Sequence, residues 1–304
     1  MTMLVAIVAA DILPIFVVAG IGFILARHFE ISVRTVSRIV FNALTPALAF
    51  TLLATSKMTG TEFGRIAVFC VLLTAAAGLV AWLVTLPFRL DRPALVGVLL
   101  VVMFSNGGNY GLPVVLFAFG REALSYATVY FVTAAVITYT IGVFLAATGR
   151  RSLVHALTGV FKVPALYGVA AAAPVVLFGL DVPLVVMRPL SLLSDAAIPM
   201  MLLVLGMQLE RARWPDRPAL VAAAVAISLF VTPLLAFTLA WALGLSGTAR
   251  QAGIVEASMP AAVITTILAL EFEVAPDFVT SVVFASTLLS PLTITALIAY
   301  LQRV

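Results

Sequence analysis

The stretch Ser105-Asn106-Gly107-Gly108-Asn109-Tyr110-Gly111-Leu112-Pro113 sets three glycines and a proline in the middle of a segment, 93–119, that is otherwise apolar. Glycine loosens a helix and proline removes one of its donors, so no regular helix passes smoothly through this stretch. The flanking pieces 93–104 and 114–119 are each far short of the roughly 20 residues that a bilayer crossing needs. The segment therefore reads as one membrane helix broken near its middle rather than as a loop between two spans.

The rest of the chain fits a membrane setting. Hydrophobic residues make up 63% and charged residues 10% of the 304 positions, and the mean hydropathy is +1.22. A soluble domain carries about 25% charged residues, so this composition excludes a soluble globular fold. Apolar runs separated by charges, Pro and Gly predict ten helices near 3–27, 33–56, 64–88, 93–119, 123–148, 164–180, 184–208, 217–243, 248–272 and 276–301. The first run has no basic n-region or small-residue cleavage site before it and is expected to stay as a spanning helix. The net charge of +4 comes from basic residues scattered in short loops, which excludes a nucleic-acid-binding patch.

Those basic residues predict the orientation. With the N-terminus outside, eleven of the seventeen fall in cytoplasmic loops: Arg27, Arg34, Arg38, Arg89, Arg92, Arg150, Arg151, Lys162, Arg211, Arg213 and Arg217. The positive-inside rule then places both termini outside. Cys70 is the only cysteine and lies in an apolar run, so it reads as packing, and His28 and His155 form no metal pair. No Walker loop, zinc motif or nucleophile–His–acid set is present, and an enzyme is not expected.

The two halves of the chain repeat each other. Asn42-Ala43-Leu44-Thr45-Pro46 in span two returns as Asp195-Ala196-Ala197-Ile198-Pro199 in span seven, a step of 153 residues. The same step carries Val129-Tyr130-Phe131-Val132-Thr133 to Val282-Val283-Phe284-Ala285-Ser286, and Pro14 and Pro164 lie 150 apart. Residues 1–150 and 151–304 thus read as two five-helix units. An odd number of spans per unit inserts the second copy upside down, the inverted repeat that characterises secondary transporters. The step also takes Asn106 to Met259 beside Pro260, so helices four and nine are both expected to break, and to cross, at matched depth. The fold class read from the sequence is an all-α membrane protein of ten helices in two inverted repeats.

Polar residues inside the spans nominate a site. Glu256 is foremost, because a carboxylate at mid-membrane is costly unless paired, hydrated or protonated; a Glu bonded to a neighbouring helix or displaced toward the interface is the plainer alternative. Asp195 lies about eleven residues into span seven, with a helix N-cap as its plainer reading. Asp11, Thr133, Ser286 and Ser290 are weaker candidates, hydroxyls in membrane helices commonly bonding to their own backbone. Asn106, Asn109 and Tyr110 can hydrogen-bond at the break.

With these motifs, the chain resembles the auxin efflux carrier family, which includes plant auxin carriers and bacterial organic-anion permeases. The resemblance covers the whole chain and rests chiefly on Ser105-Asn106 through Gly111-Leu112-Pro113 and on the Pro260 region. It implies a scaffold of helices 1, 2, 6 and 7 and a transport domain of helices 3–5 and 8–10 that moves as an elevator. It also implies a bacterial-type carrier in the cell membrane, and a crossover at Ser105, Asn106, Gly107, Gly108, Pro113, Met259 and Pro260. A small organic anion would then bind among Asn42, Thr45, Pro46, Asn106, Asn109, Tyr110, Asp195, Pro199 and Pro260. The chain lacks the long loop between helices five and six of the plant carriers, and Ser105 stands where they have a proline. Ser105-Asn106 with Glu256 and Met259 is also similar to a sodium site in bile-acid symporter homologues, implying that Ser105, Asn106, Thr133, Glu256 and Met259 bind Na⁺. Proton coupling, uncoupled uniport or export, and a non-transporting ligand sensor stay open. The expected partners are the anion, the lipid bilayer and a second copy joined through the scaffold helices; no cofactor is expected beyond Na⁺ as coupling ion.

Overall fold

The structure is a computed structural model that describes residues 2–147, 158–210 and 218–303. Arg150, Arg151, His155, Arg211, Arg213, Arg217 and the boundary at 150/151 lie outside the described residues. Among the described residues every regular element is helical: α1 (Met3–His28), α2 (Val33–Ala54), α3 (Gly60–Phe88), α4 (Arg92–Met103), α5 (Gly107–Ala146), α6 (Pro164–Phe178), α7 (Leu184–Leu209), α8 (Pro218–Ala242), α9 (Gly247–Ala257), α10 (Val263–Phe272) and α11 (Pro276–Leu301).

Seven of these, α1, α2, α3, α5, α7, α8 and α11, are long and apolar enough to cross a membrane, where hydropathy predicts ten spans. The difference has local causes. The segment 93–119 is split into α4 and the start of α5, and 248–272 into α9 and α10. The expected gap between spans four and five falls at Gly120, whose φ of 80° and ψ of −172° are non-helical and separate the two limbs of α5. Only glycine takes that conformation without strain. The sixth helix, α6, has 15 residues with Pro174 inside it.

Proline also shapes the helices it does not end. Wide π-helical turns at Val8–Ile12, Val40–Leu44, Gly107–Gly111 and Ile227–Val231 each lead into a residue followed by proline: Pro14, Pro46, Pro113 and Pro233. The ring of a mid-helix proline clashes with the carbonyl four residues back. Widening the turn moves that carbonyl away, and the N–H before each proline reaches five residues back instead, Leu13 to Val8, Thr45 to Val40, Leu112 to Gly107 and Thr232 to Ile227. Thr45 and Thr232 add their hydroxyls to the same carbonyls, at 2.8 and 3.1 Å.

Packing divides the helices into two groups. α1 lies on α7, and α2 on α6 and α7, while α3, α4, α5, α8, α9, α10 and α11 pack chiefly among themselves. Lipid tails provide no hydrophobic drive between apolar helices, so close backbone approach must hold the first group. Gly22, Gly206 and Gly168 supply it: a Cβ on them would collide with the backbone carbonyls of Leu203, Ala19 and Pro46. The Thr51 hydroxyl donates to the Ser194 hydroxyl at 2.7 Å, tying α2 to α7. Gly206→Val is expected to force α1 and α7 apart and destabilise the protein by about 1–3 kcal/mol, read as a lowered thermal unfolding midpoint in detergent with Gly64→Ala, which has open space around it, as the neutral control.

Candidate functional site

The two helix breaks meet. Between α4 and α5 the chain leaves the helix at Phe104, Ser105 and Asn106, and between α9 and α10 at Ser258–Ala262. Asn106 N–H donates to the Pro260 carbonyl at 2.7 Å and Ala262 N–H to the Phe104 carbonyl at 2.9 Å, while Ser105 and Ala261 pair as an antiparallel bridge. Each break thus satisfies backbone groups of the other, which membrane depth demands. Two side chains fasten the joint: Ser105 Oγ donates to the Glu256 carbonyl at 3.0 Å, and Ala261 N–H donates to Ser286 Oγ at 3.2 Å.

Glu256, on the last turn of α9, is 0% exposed, and neither carboxylate oxygen has a hydrogen-bond partner among the described residues. Its carboxyl occupies the space left by two missing side chains. A Cβ on Gly107 would collide with Oε2, and one on Gly111 would lie 2.6 Å from Oε1, while Gly108 makes room for the Phe131 ring. Gly107 and Gly111 stand four residues apart and share one face of the turn, which faces the carboxyl. The Asn106 amide nitrogen is also buried and unpartnered. Two polar groups without partners, at a joint whose other polar groups are satisfied, single out this spot as one built for something besides packing.

The structure places the other sequence candidates as follows. Tyr110 is buried, accepts from Ser290 Oγ at 3.3 Å and packs edge-on against Phe16 of α1, with ring centroids 5.9 Å apart. Asn109 Nδ2 donates to Gln208 Oε1 of α7 at 3.4 Å. Pro113 is buried at the start of α5, and Met259 and Pro260 are buried in the second break. Thr133 is half-buried and donates to its own helix at the Val129 carbonyl, whereas its repeat counterpart Ser286 reaches the break. On the α2 and α7 side the candidates are dispersed. Thr45 is buried in its π-turn and Pro46 turns its carbonyl to Gly168. Asn42 donates to the Arg38 carbonyl at 2.8 Å, Pro199 is exposed, and Asp195 pairs with Arg121 at 3.3 Å.

Sequence reasoning nominated Ser105 and Met259 but not the polar residues gathered beside them, nor Gln208 and Arg121. A small cavity beside the joint is lined by Thr74, Ser105, Tyr130, Ser228 and Thr232 together with Met103 and Met259. Cys70, read as packing, is indeed buried, with Sγ 3.6 Å from the Tyr130 carbonyl. Gln208 and Arg121 are the α7-side and α5-side partners of Asn109 and Asp195. The glycine pair four apart carried a readable signal for close approach; single hydroxyls in apolar helices carry none.

Paired helix breaks in a bundle of apolar helices define a membrane carrier architecture, and known sequences agree. The family described as membrane transport protein matches residues 7–159 and 150–298, and the chain belongs to this family, that of the auxin efflux carriers. An uncharacterized transporter of Methanothermobacter thermautotrophicus is 27% identical over 283 residues, covering 92% of this chain and 93% of its own. A second uncharacterized transporter, of Methanocaldococcus jannaschii, is 28% identical over 238 residues and 77% of each chain. The probable auxin efflux carrier component 1b of Oryza sativa subsp. japonica is 29% identical over 120 residues, 38% of this chain and 22% of its own.

If the glycine cradle fits the carboxyl this closely, Gly111→Ala should cost about 1–3 kcal/mol by overpacking. The same substitution in a Glu256→Ala background should cost much less. A double-mutant cycle on thermal unfolding measures the coupling, and additive effects would mean that the two residues do not share this space.

Proposed function

We propose that this membrane transporter is an elevator-type secondary carrier of a small organic anion, coupled to Na⁺ or H⁺ through Glu256. The reading is carried by the Glu256 carboxyl, enclosed between the two broken helices with no hydrogen-bond partner. A bare carboxylate at a helix centre costs about 2.5–3.5 kcal/mol on insertion scales, so it carries a proton or holds a cation. In this reading the chain crosses the membrane ten times in two inverted repeats, α4 with the first limb of α5, and α9 with α10, each forming one broken span. Helices α1, α2, α6 and α7 form the scaffold, and the rest form the bundle that moves. Both termini lie outside the cell membrane.

The anion rests at the crossing, near Asn106, Asn109 and Tyr110, where unwound backbone and half-helix ends offer partial charges. Ser105, Asn106, Met259 and the small cavity offer oxygen, amide and thioether groups next to Glu256, and oxygen donors suit a hard monovalent cation. The match to auxin efflux carriers of rice favours a carboxylate as the anion. Uncoupled uniport keeps the same site and loses only the dependence on Glu256.

In liposomes holding the purified protein, an imposed Na⁺ or pH gradient is expected to drive uptake of a carboxylate from a panel that includes malonate and indole-3-acetate. Glu256→Gln should abolish gradient-driven uptake while leaving the protein folded. Stabilisation by Na⁺ alone, lost in Glu256→Gln, assigns Na⁺; a dependence on pH alone assigns H⁺. Unchanged gradient-driven uptake in Glu256→Gln removes Glu256 from coupling.

A further inference from the structure

Two side-chain contacts tie α7 to α5, one on each side of the bend at Gly120: Asn109 Nδ2 to Gln208 Oε1 at 3.4 Å, and Arg121 Nη2 to Asp195 Oδ1 at 3.3 Å. The contacts are 12 residues apart on α5 and 13 on α7. They fall in opposite order along the two elements, so α5 and α7 run antiparallel there. Arg121 follows directly on the bend at Gly120, and neighbouring Glu122 turns away to accept from Thr248 at 3.0 Å. The Arg121 and Asp195 side chains are 77% and 63% exposed. Charges this exposed belong in water rather than in lipid, and the pair sits where the two helix groups meet.

The repeat gives this pair a direction. The step of 153 carries Gly120 to Glu273, and both have positive φ, 80° and 55°, with different ψ, −172° and 40°. The same step carries Asp195 to Asn42 and Arg121 to Val274. In an inverted-repeat carrier the second conformation exchanges the roles of the two repeats. The exchanged contact would set Val274, after α10, against Asn42 of α2, and no ion pair forms there.

On the elevator reading above, we propose that the Arg121–Asp195 ion pair is a one-sided latch. It fastens the moving bundle to α7 in the conformation seen here, has no counterpart in the opposite one, and so biases the resting equilibrium toward this side. An exposed pair shifts such an equilibrium by about fivefold at most. That is enough to set a resting state and too little to stop turnover.

The test uses the full chain with Cys70→Ser and spin labels on Val185→Cys of α7 and Ile267→Cys of α10, both exposed positions. Pulsed electron-resonance distances are measured in liposomes without substrate. Two populations are expected. Asp195→Asn and Arg121→Gln should each move their ratio by roughly two- to fivefold toward the second, raised salt should do the same to the unsubstituted pair, and Arg121→Asp with Asp195→Arg should restore it. Two populations whose ratio ignores both substitutions and salt overturn the latch alone. One distance in every variant, at either pH and with or without Na⁺, overturns the movement and the latch with it.

Discussion

The structure depends on backbone hydrogen bonds between two interrupted helices. In hydrocarbon an unpaired amide has no water to turn to, so a helix can break there only where something else completes it. Here each break completes the other, through Asn106 to Pro260 and Ala262 to Phe104. Neither break is tenable without its partner, which requires α4, α5, α9 and α10 to converge at one depth. The remaining helices are arranged around that joint.

The joint also accounts for Glu256. Glycines that break the fourth span leave a face without side chains, and the Glu256 carboxyl fills it. The same glycines therefore serve the backbone geometry of the break and the seating of a buried carboxyl. The α1, α2, α6 and α7 group is built otherwise, from glycine-mediated backbone approach and a Thr51–Ser194 hydroxyl contact. It meets the joint through the Tyr110–Phe16 edge contact, the Asn109–Gln208 bond and the Arg121–Asp195 pair. A few polar contacts between two apolar groups suit surfaces that part and re-form more readily than interlocked packing does.

Much of this was legible in sequence because membrane insertion leaves strong signals. Apolar length marks helices, and Gly and Pro mark where they fail, so both breaks were located to within a few residues. Prolines 14, 46, 113 and 233 were visible as well, but their consequence was not: they widen a turn rather than end a helix, because the preceding N–H finds a carbonyl five residues back. Gly120 was read as part of a gap between spans, and its non-helical backbone does separate two helical limbs there.

The sequence by itself determined the membrane setting, the two breaks, the 153-residue repeat and the suspicion falling on Glu256, because hydropathy, helix breakers and intramembrane charge are properties of residues and their spacing. Only the tertiary structure decided which groups meet. It brought Glu256 to Gly107 and Gly111, Asn109 to Gln208 and Arg121 to Asp195, and it gave Asn42, Thr45 and Pro46 neighbours at Arg38, Val40 and Gly168. Contacts between helices far apart in the chain depend on rotation and register about each axis. An apolar span, hydrophobic on nearly all faces, does not encode these in its periodicity.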